Sequence, residues 1–130
     1  MPQIRISRAA NLLGVSDDTV RRWIDGGQLT ATVDQAGRKV LDGAEFAAFA
    51  RAQTSEVSDP SGIGRSARNR LVGLVTDVQI EGLVAQVELQ CGRHRVVSLM
   101  TAEAARELDL KPGAVAVAVV KSTQVVVETP

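Results

Sequence analysis

Two short stretches of this 130-residue chain carry the residue types of anion capture. RSARNRLVG, at 65–73, crowds three arginines and an asparagine into Arg65–Arg70, directly ahead of a valine-rich run. VVKSTQ, at 119–124, closes another valine-rich run. A tetrahedral oxyanion is held by backbone N–H groups, hydroxyls and one or two balancing cations. Ser66, Arg68 and Asn69 supply such groups in the first stretch, and Lys121, Ser122 and Thr123 in the second. In a small barrel the first and last strands can be neighbours, or can meet across a dimer, so these donors can converge. Arg65 and Arg70 read as charges at a domain boundary, because exposed arginines usually stay solvated.

A third stretch, SDDTVRRWID at 16–25, has the chemistry of base reading. With Val20 and Ile24 turned inward, Asp18, Thr19, Arg21 and Arg22 face out. Arginine can fork two hydrogen bonds to a guanine edge in the major groove. Ser16 at the helix N-terminus and Thr19 can take phosphates.

The other reactive groups lack company. Cys91 has no activating frame, and His94 stands between Arg93 and Arg95 in an expected hairpin. A positioned acid, base or nucleophile is missing, so no catalytic residue is assigned and no enzyme is expected. One Cys and one His fall short of a zinc site, and no metal cation is expected. The charge excludes more. Lysine plus arginine total 15 and acids total 15, and the balance holds in both halves: seven of each sign in 1–57 and eight of each in 58–130. Neither half is a polycation that binds nucleic acid by charge alone. Trp23, Phe46 and Phe49 are the only aromatics, so residues 50–130 offer no stacking platform for single strands. No apolar run reaches the ~20 residues of a membrane span, and MPQIRISRAA lacks a signal core. A cytoplasmic protein without a membrane partner is the expectation.

Two different periodicities position these groups. Ile6, Ala9, Ala10 and Leu13 recur at helical spacing, with Ser7 the expected N-cap and Gly14 the expected stop. Ser16 is the expected N-cap of a second helix that Gly26 and Gly27 end. Two short strands follow around a turn at Asp34–Gly37. Asp42 and Glu45 then have capping-box spacing for a third helix carrying Phe46 and Phe49. QTSEVSDPSGIGR, at 53–65, has the Ser, Gly and Pro content of a linker. From Leu71 the period changes. LVGLVTDVQ, LVAQVELQ, RVVSLM, VAVAVVK and QVVVE are five expected strands, with one short helix capped by Thr101 and a KPG turn at 111–113. Five strands and a helix in so short a span predict a small closed barrel of OB type.

RISRAANLLGVSDDTVRRWIDGGQLTA, followed by a hairpin with GRK at its tip, resembles the MerR/excisionase group of winged helix-turn-helix domains over about residues 4–52. The resemblance implies that the second helix enters the major groove of double-stranded DNA and that the wing touches backbone. Thr19, Arg21 and Arg22 would read or flank bases, and Arg38 and Lys39 would hold phosphates. Asp17, Asp18 and Asp25 sit near that surface and weaken non-specific attraction.

SARNRLVGLV, VVSLMT and AARELDLKPGAVAVAVVKSTQVVVE together resemble a molybdate-binding domain of the molbindin (Mop, or TOBE) type over about residues 66–129. The resemblance implies an oxyanion, molybdate or tungstate, held at interfaces between barrels by the SAR segment of one copy and the KS or KT segment of another. It nominates Ser66, Arg68, Lys121 and Ser122, with Asn69, Ser98, Thr101 and Thr123 as weaker candidates. Where the family often has LGL, this chain has Leu108, Asp109 and Leu110.

The expectation is an α+β two-domain protein. Residues 1–53 form a winged helix-turn-helix, 54–65 a linker, and 66–130 an OB-like β-barrel with one short helix. The expected role is a molybdate-responsive DNA-binding regulator that forms a dimer or a trimer of dimers. The alternatives are a molybdate storage protein whose helical domain is an interaction module, and an excisionase-like architectural protein whose barrel only oligomerises.

Overall fold

The computed structural model describes residues 2–53, 64 and 66–130. The expected linker at 54–65, apart from Gly64, lies outside the described residues, as does Arg65. The chain divides into two units, Met1–Glu56 and Val57–Pro130.

In the N-terminal unit, helix α1 (Ile6–Leu13) buries Ile6, Ala9 and Ala10, one face of a 3.6-residue period. Gly14 ends it at φ 69°. Its N–H reaches the Asn11 carbonyl at 3.3 Å, while the Val15 N–H reaches that of Ala10 at 3.0 Å. These are the two bonds of a Schellman cap, which needs a left-handed residue and so favours glycine. Helix α2 (Asp17–Asp25) starts at Ser16, whose hydroxyl accepts the Thr19 N–H at 3.1 Å. Asp17 and Asp18 lie at its positive end. It stops in the same manner as α1, with Gly27 at φ 81° and the Gln28 N–H on the Trp23 carbonyl.

Ser7 is not the cap of α1. A strand, β1 (Gln3–Arg5), runs directly into the helix, and Arg5 holds the cap position with no side-chain bond. The reason is tertiary: β1 pairs with β3 (Lys39–Asp42), and the Arg5–Val40 register keeps Arg5 extended. β3 also pairs with β2 (Ala31–Val33), giving the order β1-β3-β2. Asp34 builds the β2–β3 turn. Its carboxylate accepts the N–H groups of Ala36 and Arg38, both at 2.9 Å. Asp42 caps helix α3 (Gly43–Gln53) through the Glu45 N–H at 3.0 Å. The capping box is only half made, because the Glu45 carboxylate instead accepts the Thr30 N–H at 2.9 Å and ties α3 to the loop after α2. Phe46 joins Ile6, Ala9, Ala10, Val20, Leu29 and Leu41 in one core, and Phe49 tilts against Trp23 at 4.9 Å.

In the C-terminal unit, β4 (Asn69–Glu81), β5 (Val84–Cys91), β6 (His94–Thr101) and β7 (Val115–Val120) form an antiparallel sheet in the order β6-β5-β4-β7. The two-residue loops start with Gly82 and Gly92 at φ near 60°, as type II′ hairpins require. β5 alternates strictly, sending Ala85, Val87, Leu89 and Cys91 inward. A bulge between Val75 and Asp77 bends β4. Its first half (69–74) pairs with β7 and its second half (74–81) with β5. The crease needs a bare backbone at Gly73, where an added Cβ would lie 2.5 Å from the Cys91 sulfur and 2.8 Å from the Gln90 carbonyl oxygen. Thr101 caps helix α4 (Ala102–Glu107), accepting the Ala104 N–H at 3.1 Å. Pro112 and Gly113, at φ 97°, turn the chain into β7 with a 3.0 Å bond from the Ala114 N–H to the Lys111 carbonyl. Asp109 holds a left-handed φ of 53°, a conformation that glycine adopts freely, and pairs with Lys111 at 3.3 Å.

The two edge strands β6 and β7, with Leu108 and Leu110, line one apolar groove of about 450 Å³. The sheet therefore curls into a half-barrel of OB-like type. The expected fifth strand, QVVVE, is not formed. A 3₁₀ turn (Ser122–Gln124) follows β7, and Val125, Val126 and Val127 pair with no strand among the described residues and are 47%, 84% and 85% exposed. Valine-rich composition fits a pleated surface but does not supply a neighbour to pair with. The barrel is consequently open between β6 and β7, where closure was expected. No helix among the described residues is long and apolar enough to cross a membrane.

Candidate oxyanion site and nucleic-acid interface

The β4–β7 ladder decides where the two candidate anion-binding stretches go. Asn69 begins β4 and lies opposite Val120, the last residue of β7. Ser66 and Arg68 lead into that end of the ladder, and Lys121, Ser122 and Thr123 lead out of it. Residues more than fifty positions apart in sequence thus share one end of a single antiparallel pair. Ser66, Arg68, Lys121, Ser122 and Thr123 are exposed and Asn69 is half-buried. Neither Arg68 nor Lys121 has an ion-pair partner among the described residues. Two uncompensated cations beside three hydroxyls and an amide form a surface with spare capacity for a dianion.

Ser98 and Thr101 do not join this group within one chain. Both are on β6, at the opposite edge of the sheet from β7. Ser98 is half-buried in the wall of the apolar groove, and the Thr101 hydroxyl is occupied as the α4 cap. Arg70 is half-buried within β4 opposite Val119, so it is a strand residue and not a fully solvated charge. Cys91 is 6% exposed with its sulfur 3.7 Å from the Leu71 carbonyl, and burial pushes its thiol above the ordinary value. A thiol kept protonated is a poor nucleophile. His94 is exposed at the β5–β6 turn. Among the described residues no three His, Cys, Asp or Glu side chains are grouped to hold a metal.

In the N-terminal unit, α2 presents Asp18, Arg21 and Arg22 to solvent. Arg21 approaches Asp18 at 3.5 Å, a loose contact between exposed groups that competes weakly with any ligand. The Thr19 hydroxyl, half-buried, lies 2.9 Å from that of Ser16, so both serve the helix start before they serve a phosphate. At the wing, the Arg38 guanidinium meets Asp34 at 3.2 Å. The backbone N–H of Arg38, more than any other group, holds the Asp34 carboxyl below its ordinary value. Lys39 is exposed and has no ion pair among the described residues. Arg21, Arg38 and Lys39 line a single open concavity of about 550 Å³, together with Arg5, Ile6, Ser7 and Asp17. Arg5 and Ser7 are absent from the sequence-based assignment. Their signal is tertiary, since only the β1–β3 ladder brings them beside the wing.

Comparison with known proteins agrees with the two architectures. Residues 65–127 match the family model of the TOBE domain, and residues 4–54 match that of a helix-turn-helix domain. Among solved structures, the chain is similar to a molybdate-binding protein from Sporomusa ovata, with 27% identity, a TM-score of 0.50, and coverage of 52% of this chain and 100% of that one. MopII from Clostridium pasteurianum is 36% identical over 51% of this chain and 100% of its own, with a TM-score of 0.48. The cytoplasmic molybdate-binding protein ModG, in a crystal form with molybdate bound, is 43% identical over 49% of this chain and 46% of its own, with a TM-score of 0.46. No curated protein sequence matches the chain. The chain joins an excisionase-like helix-turn-helix domain to a molbindin-type TOBE domain.

Proposed function

We propose that this protein is a cytoplasmic, non-enzymatic, molybdate- or tungstate-responsive regulator that binds double-stranded DNA. Its domains are read as 1–53 for DNA and 66–130 for the oxyanion, joined by 54–65. The observation that carries the reading is the β4–β7 register, which brings the SARN and KST segments to one end of the ladder, with Arg68 and Lys121 lacking an ion pair among the described residues. Ser66, Arg68, Lys121 and Ser122 would bind the dianion, with Asn69 and Thr123 beside them. The site is exposed on one chain, and binding in water is weak unless the charges are desolvated. A second copy laid over it would exclude that water, and Ser98 or Thr101 could reach the anion only from such a copy. The open groove and the exposed valines supply apolar surface for that assembly, a dimer or a trimer of dimers.

Arg68 and Lys121 only donate, and molybdate, a dianion at neutral pH, balances both charges, whereas phosphate is partly a protonated monoanion there. The size of the completed cavity would separate molybdate from sulfate. Coupling to DNA then requires that the ligand prefer one arrangement of the copies, and with it one spacing of the helix-turn-helix units. Calorimetry with molybdate, tungstate and sulfate tests the sensor. Wild type is expected to bind the first two, and the Arg68→Ala/Lys121→Ala pair to lose that binding. Equal binding of sulfate, or none of any anion, refutes it. Selection of DNA from a random pool, with and without molybdate, tests the regulator. An enriched operator is expected, whereas anion binding without enrichment favours storage.

A further inference from the structure

We propose that Arg5 and Ser7 grip the DNA backbone in the concavity between the second helix and the wing, fixing the depth and angle at which α2 meets the bases. The inference rests on the reading of the N-terminal unit as a DNA-binding domain and adds a contact that the helix-turn-helix pattern does not contain.

Four cations, Arg5, Arg21, Arg38 and Lys39, line this concavity with a single carboxylate, Asp17. Yet residues 1–57 carry seven charges of each sign. A net local excess of positive charge in an otherwise balanced unit costs self-repulsion, which a polyanion would relieve. The four are not equally available. Arg21 leans on Asp18 at 3.5 Å, and Arg38 is braced by Asp34 at 3.2 Å. Arg5 and Lys39 have no ion pair among the described residues. Of the four, the least compensated charges are therefore those on β1 and β3, not the one on α2.

The placement of Arg5 is rigid. Its backbone is the last rung of β1, locked opposite Val40 and next to Lys39 of the wing. Ser7 follows one residue beyond Ile6, which is buried in the core at 7% exposure. The backbone that carries both donors is thus fixed on either side of Ile6, and contacts from such a fixed backbone set register on a duplex without reading its sequence. The shape selects the ligand. Cations from β1, α2 and the β2–β3 turn are spread around an open hollow of about 550 Å³, far larger than one tetrahedral anion. A length of sugar–phosphate backbone fits that spread better than a free phosphate ion.

The test uses the full chain and an operator duplex, with Kd measured across a salt series. Arg5→Ala is expected to weaken binding about tenfold at physiological salt, equally for operator and scrambled DNA, and to lower the log–log salt slope by about one. Ser7→Ala is expected to weaken it about threefold. Arg5→Lys, which keeps the charge, is expected to restore the slope, a result that loss of folding would not give. If wild type binds the duplex and Arg5→Ala leaves affinity and slope unchanged, the proposal fails while the DNA-binding reading stands. If wild type binds no duplex, that parent reading fails. An NMR titration with inorganic phosphate separates the sources: saturable shifts at Arg5 and Ser7 without DNA would overturn the backbone assignment in favour of a small-anion site.

Discussion

In the N-terminal unit, Leu12 and Val33 are the large apolar side chains left exposed among the described residues; in the C-terminal unit there are thirteen, from Leu71 to Val127. The first unit closes a core of seven buried residues drawn from all three helices, from β3 and from the loop after α2. The second buries Val75, Val87, Leu89 and Cys91 in one cluster and leaves its groove open between two strand edges. Exposed strand edges and contiguous apolar surface are normally covered, and in the proposed assembly other copies cover those of the second unit. The first unit is built to fold on its own and meet a polar partner. The second leaves its apolar groove uncovered within one chain.

The largest effect should come from the closed core. Leu41→Ala, at a residue 1% exposed, is expected to cost about 2–5 kcal/mol, independent of protein concentration, in denaturant unfolding followed by Trp23 fluorescence. Should that loss vary with concentration, the first unit is not self-sufficient. Next is Gly73→Ala. Its new methyl would meet the Cys91 sulfur and the Gln90 carbonyl, so β4 and β5 must separate, at about 1–3 kcal/mol. Amide exchange should speed up through β4, β5 and β7 and leave residues 2–53 unchanged.

Acid should loosen both units by one mechanism. The Arg38 N–H, first among several groups, holds Asp34 below its ordinary value. The Arg95 side chain, with the Thr76 hydroxyl, does the same for Glu88. A carboxylate more acidic in the folded state contributes stability at pH above its unfolded value. That contribution disappears as pH falls through the folded value, which lies below the ordinary carboxylate value. Asp34→Asn should flatten the acid limb of amide protection in the β2–β3 hairpin alone, and Glu88→Gln that of β5 and β6 alone. Crossed effects would contradict two independent units. The smallest change in monomer stability belongs to Val126→Asp with Val127→Asp, within about 0.5 kcal/mol because both are exposed. Light scattering should nevertheless show a lower mass. An unchanged mass would mean that the valine tail takes no part in assembly.

The helix-turn-helix was legible because its devices are local. Gly14, Ser16 and Gly27 each act on backbone within a few positions, and the 3.6-residue stripe spans both helices. β1 was not, since three residues are too few to display a period of two, and its pairing with β3 displaced the expected cap from Ser7. QVVVE misled for the opposite reason: its propensity is strong, but propensity is silent about neighbours. In the candidate site, the donors of SARN and KST were visible as residue types, but the Asn69–Val120 register that brings the two segments to one end of a ladder was not. Ser98 and Thr101 came from resemblance, and in one chain they stand at the other edge of the sheet. Arg5 and Ser7 escaped notice because nothing near them in sequence announces a partner in the wing.

The bulge after Val75 has a mechanical consequence. It creases β4, so β5, β6 and the far half of β4 make a three-stranded sheet, while the near half of β4 and β7 form a ribbon only two strands wide. The SARN and KST segments hang from the free tip of that ribbon. Two strands alone are marginally stable in water, so an anion bound at that tip, as proposed, would act as a clasp on a flap. Binding would then register first as slowed motion. Relaxation dispersion at Val119 and Val120 should quench on adding molybdate, before any change in the rest of the sheet, making the flap a transmitter and not merely a receptor.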